Sequence, residues 1–351
     1  MTKWVPRKNI NLDNINKKIK DIYETNIFTN NGLNVQECQK KIKQIFDINE
    51  NKDILMVCNG AMGLNALANG YNMLYNKKLR WAVQSFTFPC SVQYAFENSI
   101  IIDIDVNMGP DIKKLTELVN LYDGVVVTNC FGNCTNVKLY EDFCRVNNKI
   151  LIFDNAASPY TFLDNKCILN YGNACMVSLH HTKPIGFGEG GFIVFDKNMK
   201  NNMEKTICFG YTSINKIDHN VFASNCKMSE IACIFINEYL NNLHNIFNHH
   251  TKLTQYFIDE IKRNNITNVS LFKNYANYND SLLSCLPIIL SKYSVDLSIF
   301  TEKGIEAKKY YKPLDSSYNS NELYKNIICL PLNVQMETSD IDIYISILKN
   351  I

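Results

Sequence analysis

The stretch Ser178-Leu179-His180-His181-Thr182-Lys183-Pro184-Ile185-Gly186-Phe187-Gly188-Glu189-Gly190-Gly191 decides how this chain is read, because it joins two apolar runs, Cys175–Val177 and Phe192–Phe195. Its glycines invite comparison with a phosphate loop. A dinucleotide fingerprint or a Walker loop, however, opens a helix whose N-terminus receives the phosphates. Here an apolar strand follows directly, which speaks against both readings. What remains is a lysine between a hydroxyl residue and a tight glycine turn, on the edge of a sheet. A partly desolvated ammonium has a lowered pKa and can condense with an aldehyde, as Schiff-base lysines do. The alternative is a solvated surface lysine.

Working outward, short apolar runs alternate with helical stretches through the first two thirds of the chain. The strand candidates are Ile54–Cys58, Trp81–Val83, Ile100–Ile104, Val125–Thr128, Ile150–Phe153, Cys175–Val177 and Phe192–Phe195. Runs that are apolar on successive residues imply strands covered on both faces, the habit of a mainly parallel sheet between helices. Ala61–Leu74, Ile112–Leu121 and Val137–Val146 are the intervening helices, so this part reads as an α/β domain. From Lys227 to Asn264 the pattern is helical, with Ile236, Leu240, Leu243 and Phe247 on one face. The remainder holds strand-like Leu286–Leu290 and Ile328–Leu330 and an amphipathic terminal helix, and reads as a smaller α+β unit. The expected division is a large domain over 1–235 and a small one over 236–351.

Composition narrows the function classes. With 351 residues, a sizeable core is available, and a formal net charge of +2 offers neither a basic stripe for nucleic acid nor an acidic tail. No apolar run approaches the length of a membrane span, and the N-terminal residues carry charge without an apolar stretch behind them. The expectation is a soluble, cytoplasmic protein with no nucleic-acid or membrane partner. The thirteen cysteines show no secreted framework and are read as reduced core residues. Neither Cys130 and Cys134 nor His180 and His181 have compact metal-ligand spacing, so no metal is expected.

Asp154 ends the apolar run Ile150-Leu151-Ile152-Phe153, where a charge is costly unless it stands at the carboxyl end of the strand with a partner. A pyridoxal phosphate enzyme needs such a carboxylate to keep the ring nitrogen protonated. A helix cap is the alternative reading. Asp154 together with Ser178 through Gly191 resembles the DegT/StrS sugar aminotransferases, whose strand-terminal Asp is followed by Ser-x-x-x-x-Lys-x-x-x-x-Gly-Glu-Gly-Gly. The resemblance runs almost end to end. It implies the aspartate aminotransferase fold, fold type I, with pyridoxal 5'-phosphate as cofactor and Lys183 as its Schiff-base lysine.

The same resemblance extends to weaker motifs. Asn59-Gly60-Ala61-Met62 is similar to the turn whose backbone binds the cofactor phosphate, as suits a helix N-terminus. Ser85-Phe86-Thr87-Phe88 matches the family's Thr-aromatic stretch, which makes Phe88 the ring-stacking residue, although alone it would read as core. Ser224-Asn225-Cys226-Lys227-Met228-Ser229 resembles a motif whose Asn reaches the phosphate of a second subunit, and alone it would read as a capped helix start. The family therefore implies a homodimer with shared sites. Tyr311-Lys312-Pro313-Leu314 and Leu330-Pro331-Leu332 match small-domain signatures without a clear chemical role.

There are departures too. Ala157 stands where the family often has a ring-contacting Gln, His or Glu, Ala61 where Thr is frequent, and Asp315 where His is common. The intact Lys183 counts against the dehydratase branch, which replaces it with His, and against a non-catalytic cofactor-binding protein. The resemblance implies ping-pong transfer from L-glutamate to a nucleotide-linked 4-keto-6-deoxyhexose, giving a 4-amino-4,6-dideoxy sugar of the viosamine or perosamine kind. The alternative acceptor is a 3-keto sugar nucleotide. His180 and His181 are candidate substrate contacts, and Lys216 or Lys227 candidate charges for the diphosphate.

Overall fold

All seven apolar runs become strands of one sheet in the computed structural model, which describes residues 2–211, 219–291 and 296–351. They are β1 (Lys52–Val57), β2 (Trp81–Gln84), β3 (Ile100–Ile102), β4 (Gly124–Thr128), β5 (Ile150–Asp154), β6 (Ala174–Ser178) and β7 (Gly191–Asp196). The sheet order is β1-β7-β6-β5-β4-β2-β3. The central and far strands run parallel, while β7 lies antiparallel to both β1 and β6.

Burial on both faces follows from the unbroken apolar runs. Val125 and Val127 of β4 and Leu151 and Phe153 of β5 point into one core layer, whereas Val126 and Ile152 point into the other. This is the alternation a pleated strand imposes. The first layer is roofed by α2 (Leu33–Ile45), α5 (Val137–Val146) and α7 (Glu230–Leu240), through Cys38, Tyr140 and Ile236 among others. The second is roofed by α3 (Gly60–Tyr75) and α6 (Lys200–Ile207), through Leu64, Leu67 and Met203. α1 (Leu12–Thr25) packs on α7 in a small cluster of its own, through Ile15, Ile22 and Ile234, and the short α4 (Ile112–Glu117) adds Leu115 to the first layer. All thirteen cysteines are free.

The helical stretch expected over 227–264 is two helices. α7 starts after Ser229, whose hydroxyl accepts the Ala232 amide at 3.1 Å, and Asn241-Asn242 separates it from α8 (Leu243–Arg263). The apolar stripe does change partners, but within α8: Leu243 and Ile246 belong to the large-sheet core, and Leu253 and Phe257 to a separate core. That second core lies under an antiparallel sheet of β8 (Val269–Leu271), β9 (Leu286–Leu290) and β10 (Ile327–Leu330), with β9 in the middle. Two further helices follow β9, α9 (Ser298–Thr301) and α10 (Tyr318–Asn326), and α11 (Thr338–Leu348) closes the unit with Ile341, Tyr344 and Ile345. We propose the middle of α8, beyond the expected division at residue 235, as the passage from the large unit to the small one.

Two strong junctions tie the units together. Asp103, just past β3, accepts the amides of Asn319 (2.8 Å) and Ser320 (3.0 Å) at the start of α10. Its carboxylate thus sits where the N-terminus of that helix is positive. The other junction is the N-terminal segment, which pairs Thr2 with Ile305 and sends its following residues toward the loop after β6.

Candidate active site

Asp154, Ser178, Lys183 and the Gly60 turn converge where the parallel strands end, the usual ligand crevice of such sheets. Asp154 is the last residue of β5 and is 1% exposed. Its Oδ1 accepts the Ala156 amide at 2.9 Å. Burial pushes its carboxyl pKa up, while the Ala156 amide and the Lys183 ammonium hold it back. Lys183 is half-buried on the loop between β6 and β7. Desolvation pulls its pKa below the usual lysine value, against the pull of Asp154. The two groups are therefore electrostatically coupled in a low-dielectric crevice, and burial shifts each toward its neutral form.

The loop is held in shape by its own backbone. The Leu179 amide donates to the Gly190 carbonyl and that of His181 to Gly188, each at 2.8 Å, continuing the β6–β7 ladder. The Lys183 amide then donates to the His180 carbonyl at 2.8 Å and that of Gly186 to the Lys183 carbonyl at 3.1 Å. Gly186 is required sterically, since a Cβ there would run into the carbonyl oxygens of His180 and Leu179. The four residues from Lys183 to Gly186 thus form a tight turn that projects the lysine.

Beside the turn stands the start of α3. Asn59 caps it, its Oδ1 accepting the Met62 amide at 2.9 Å, so the free amides at this helix start belong to Gly60 and Ala61. A Cβ on Gly60 would lie 2.9 Å from Met176 Sδ and 3.0 Å from Ser178 Cβ. Backbone and Ser178 thus form one cradle. It suits a phosphate: two unpaired amides at a positive helix end and a hydroxyl. With Asp154 for a protonated ring nitrogen and Lys183 for an aldehyde, the donor set fits pyridoxal phosphate.

The other expected residues take different places. Phe88 is 55% exposed at the mouth, edge-on to Tyr311 at 6.5 Å. Thr87 Oγ1 meets Thr128 Oγ1 at 2.7 Å and so fixes the segment that carries it to β4. His180 stands on the rim, its Nδ1 2.8 Å from Thr182 Oγ1 and its Nε2 3.4 Å from Glu189 Oε1. His181 instead turns toward α7, packing edge-on against Phe187 at 5.1 Å, which stacks on Phe235. Asn225 is exposed beyond the β1 edge, where its Oδ1 accepts from Lys227 Nζ at 2.8 Å. Ala157 is buried, and exposed Asp315 accepts the Ser317 amide at 3.0 Å. Lys216 lies outside the described residues.

Residues not anticipated complete the walls. Electrostatic coupling to Lys183 identifies Cys90, Cys130 and Cys285 as its neighbours. Burial pushes the Cys90 thiol up to about 12 and raises Cys130, so both stay protonated. Tyr311, stacked on Phe131 at 5.1 Å, couples to Asp154 and two of the same thiols, and burial raises its hydroxyl pKa. Its motif was visible in the sequence, but its direction was not. Among the described residues no group of three or more His, Cys, Asp or Glu side chains is placed to hold a metal ion, and no helix is long and apolar enough to cross a membrane.

Comparison with known proteins adds a decisive observation: a model of the DegT/DnrJ/EryC1/StrS aminotransferase family matches residues 10–349. The chain belongs to this family. It is therefore a pyridoxal phosphate-dependent sugar aminotransferase. A relative from Shigella dysenteriae, a dTDP-4-amino-4,6-dideoxy-D-glucose transaminase, is 21% identical over 72% of this chain and 73% of its own length. The fold matches a structure described as a PLP-dependent aminotransferase from Bacillus cereus, with TM-score 0.85 and 21% identity over 99% of both chains. It also matches DesI, solved in the presence of its TDP-sugar product, with TM-score 0.82 and 15% identity over 98% of this chain and 91% of that one.

Proposed function

We propose that this enzyme moves an amino group from L-glutamate to a nucleotide-linked 4-keto-6-deoxyhexose, giving a 4-amino-4,6-dideoxy sugar nucleotide, and that it works as a homodimer. The observation that carries the chemistry is the pairing of Lys183 with buried Asp154 beside the Gly60–Ser178 cradle. The C4 position is favoured by the transaminase named above.

Pyridoxal phosphate, when bound, supplies the electron sink through which nitrogen leaves the donor and reaches the ketone. The amides of Gly60 and Ala61 and the Ser178 hydroxyl hold its phosphate. Asp154 holds the proton on the ring nitrogen: a buried carboxylate is costly alone, and a cation facing it removes much of that cost. Phe88, at the mouth, would be the aromatic side chain nearest the ring. Desolvation leaves a larger share of Lys183 neutral at physiological pH, as an amine that is to hold the aldehyde group requires. When not engaged in holding the cofactor, the same amine would move the proton between the donor Cα and the C4' carbon. Asn225, exposed on one chain, serves the phosphate of the other. His180, on the rim beside Glu189, and Lys227 are the candidates for contact with the sugar and its diphosphate.

The test supplies glutamate with a panel of 3-keto and 4-keto nucleotide sugars and with free keto sugars, and identifies products by mass and NMR. Amination confined to nucleotide-linked 4-keto substrates is the expected result. Products aminated at C3, dehydrated products, or equal use of free sugars would overturn the substrate assignment.

A further inference from the structure

Residues 2–7 are fastened to the small unit. Thr2 Oγ1 donates to Asp340 Oδ1 at 2.8 Å, the Trp4 amide to Glu306 Oε2 at 2.7 Å, and Asn333 Nδ2 to the Lys3 carbonyl at 2.9 Å. The next side chain, Lys8, turns the other way. Its Nζ donates to the Lys183 carbonyl at 2.6 Å and to the Gly186 carbonyl, and sits 4.8 Å above the Tyr239 ring of α7. Those two carbonyls bracket the turn that projects Lys183. The Lys183 carbonyl therefore takes two donors, the Gly186 amide and Lys8.

Lys8 is 7% exposed, and among the described residues it forms no ion pair. Burying an ammonium without a carboxylate is expensive, and a methionine would fill the same space without that cost. The charge is thus explained by what it holds. We propose that Lys8 is a positioning residue for Lys183, clamping the cofactor-lysine turn to a segment anchored on the small unit, so that the two halves of the crevice keep one geometry. This rests on the assignment of Lys183 made above. A reactive amine displaced by about 1 Å loses on the order of a hundredfold in rate, which gives such a clamp its value.

The surroundings of Lys8 also make it sensitive to pH. The groups facing it are His181 on the loop, His250 on α8, the Tyr239 ring on α7 and the main chain of Lys183. None of these supplies negative charge at neutral pH, and desolvation pulls the Lys8 pKa down to about 7. The clamp is charged below that pH and weakens above it, whereas an arginine would stay charged throughout.

The experiment uses the holoenzyme of the wild type, Lys8→Met and Lys8→Arg. Borohydride reduction followed by peptide mass locates the cofactor, and its absorbance and kcat are followed against pH. In the wild type the adduct should lie on Lys183 and kcat should fall as pH rises through about 7. Lys8→Met should keep the adduct, lose about tenfold or more in kcat with little change in KM for glutamate, and shift the absorbance midpoint. Lys8→Arg should recover most of kcat and lack the fall near neutral pH. A wild-type adduct elsewhere overturns the Lys183 assignment and this inference together. An adduct on Lys183 with Lys8→Met matching the wild type, or with both variants equally impaired, overturns the Lys8 inference alone.

Discussion

The two sides of the crevice are built differently. On the enclosed side, Asp154, Ser178 and the Gly60 turn stand on strand ends and a helix start of one sheet, packed so closely that Gly60 has no room for a Cβ. The open side is the exposed surface around it, with Phe88 at the mouth and, beyond the β1 edge, Asn225 and Phe209, where Lys227 Nζ lies 4.5 Å over the Phe209 ring and is bonded to Asn225. The enclosed side needs nothing beyond its own chain to fix its charges. The open side presents aromatic and amide groups that its own chain leaves uncovered, the surface on which the proposed homodimer would bring the second copy.

The sharpest way to break this contrast is at its centre. Lys183→Ala should reduce turnover by about a thousandfold or more while circular dichroism shows an unchanged fold, because anchor and proton carrier are lost together. Turnover near wild type would remove the enclosed side from catalysis. Asp154→Asn keeps the shape and deletes the charge, and should lower kcat by about a hundredfold. Since Asp154 raises the lysine pKa, its loss should also move the alkaline midpoint of Lys183 downward, which a pH titration of the variant would reveal. A midpoint that stays put or rises would uncouple the pair.

Effects on the open side should be smaller and shared between chains. Asn225→Ala should weaken cofactor retention by about ten- to a hundredfold, one uncharged donor to a phosphate being worth roughly 1.5 to 3 kcal/mol. Mixing it with Lys183→Ala chains should restore activity, because one site of each mixed dimer then holds both residues intact. At limiting cofactor, mixed dimers no more active than the Asn225→Ala parent would place Asn225 and Lys183 on the same chain's site. Phe88→Leu should cost only a few-fold in cofactor affinity, about 1 kcal/mol of ring contact, as measured by equilibrium dialysis. A hundredfold loss would mean that Phe88 belongs to the enclosed side.

The same contrast explains what the sequence disclosed. Strands such as Val125–Thr128 and Ile150–Phe153 were legible because two-sided burial writes an unbroken apolar run, and Asp154 stood out as the charge that ends one. Lys183 was legible through its turn, since Gly186 admits no side chain. The reversed direction of β7 was not, because an antiparallel strand buried on both faces reads like a parallel one. Nor was the break at Asn241-Asn242, which the apolar stripe crosses without interruption. Lys8 and Cys285 escaped for another reason: their parts depend on contacts across more than a hundred positions of sequence. His180 and His181 were both candidate contacts by their position before Lys183, and the resemblance favoured the first; adjacent residues on a turn point apart, and only His180 stands on the rim.

The pairing of Thr2 with Ile305 sets an order of events during synthesis. A ribosome delivers the chain vectorially, so the opening residues wait until about 300 more have emerged before that bridge and the Asp340 contact can form. The sheet faces a shorter wait of the same kind, because edge strand β1 is paired only by β7, the last strand of the sheet to be made. Long-range closures of this sort are slow and come late. A nascent chain can therefore assemble its central strands, and even the Gly60–Ser178 cradle, well before the segment carrying Lys8 is tied down. A chain lacking α11 (Thr338–Leu348) loses the Asp340 contact that fastens Thr2, and should therefore bind cofactor better than it turns over substrate.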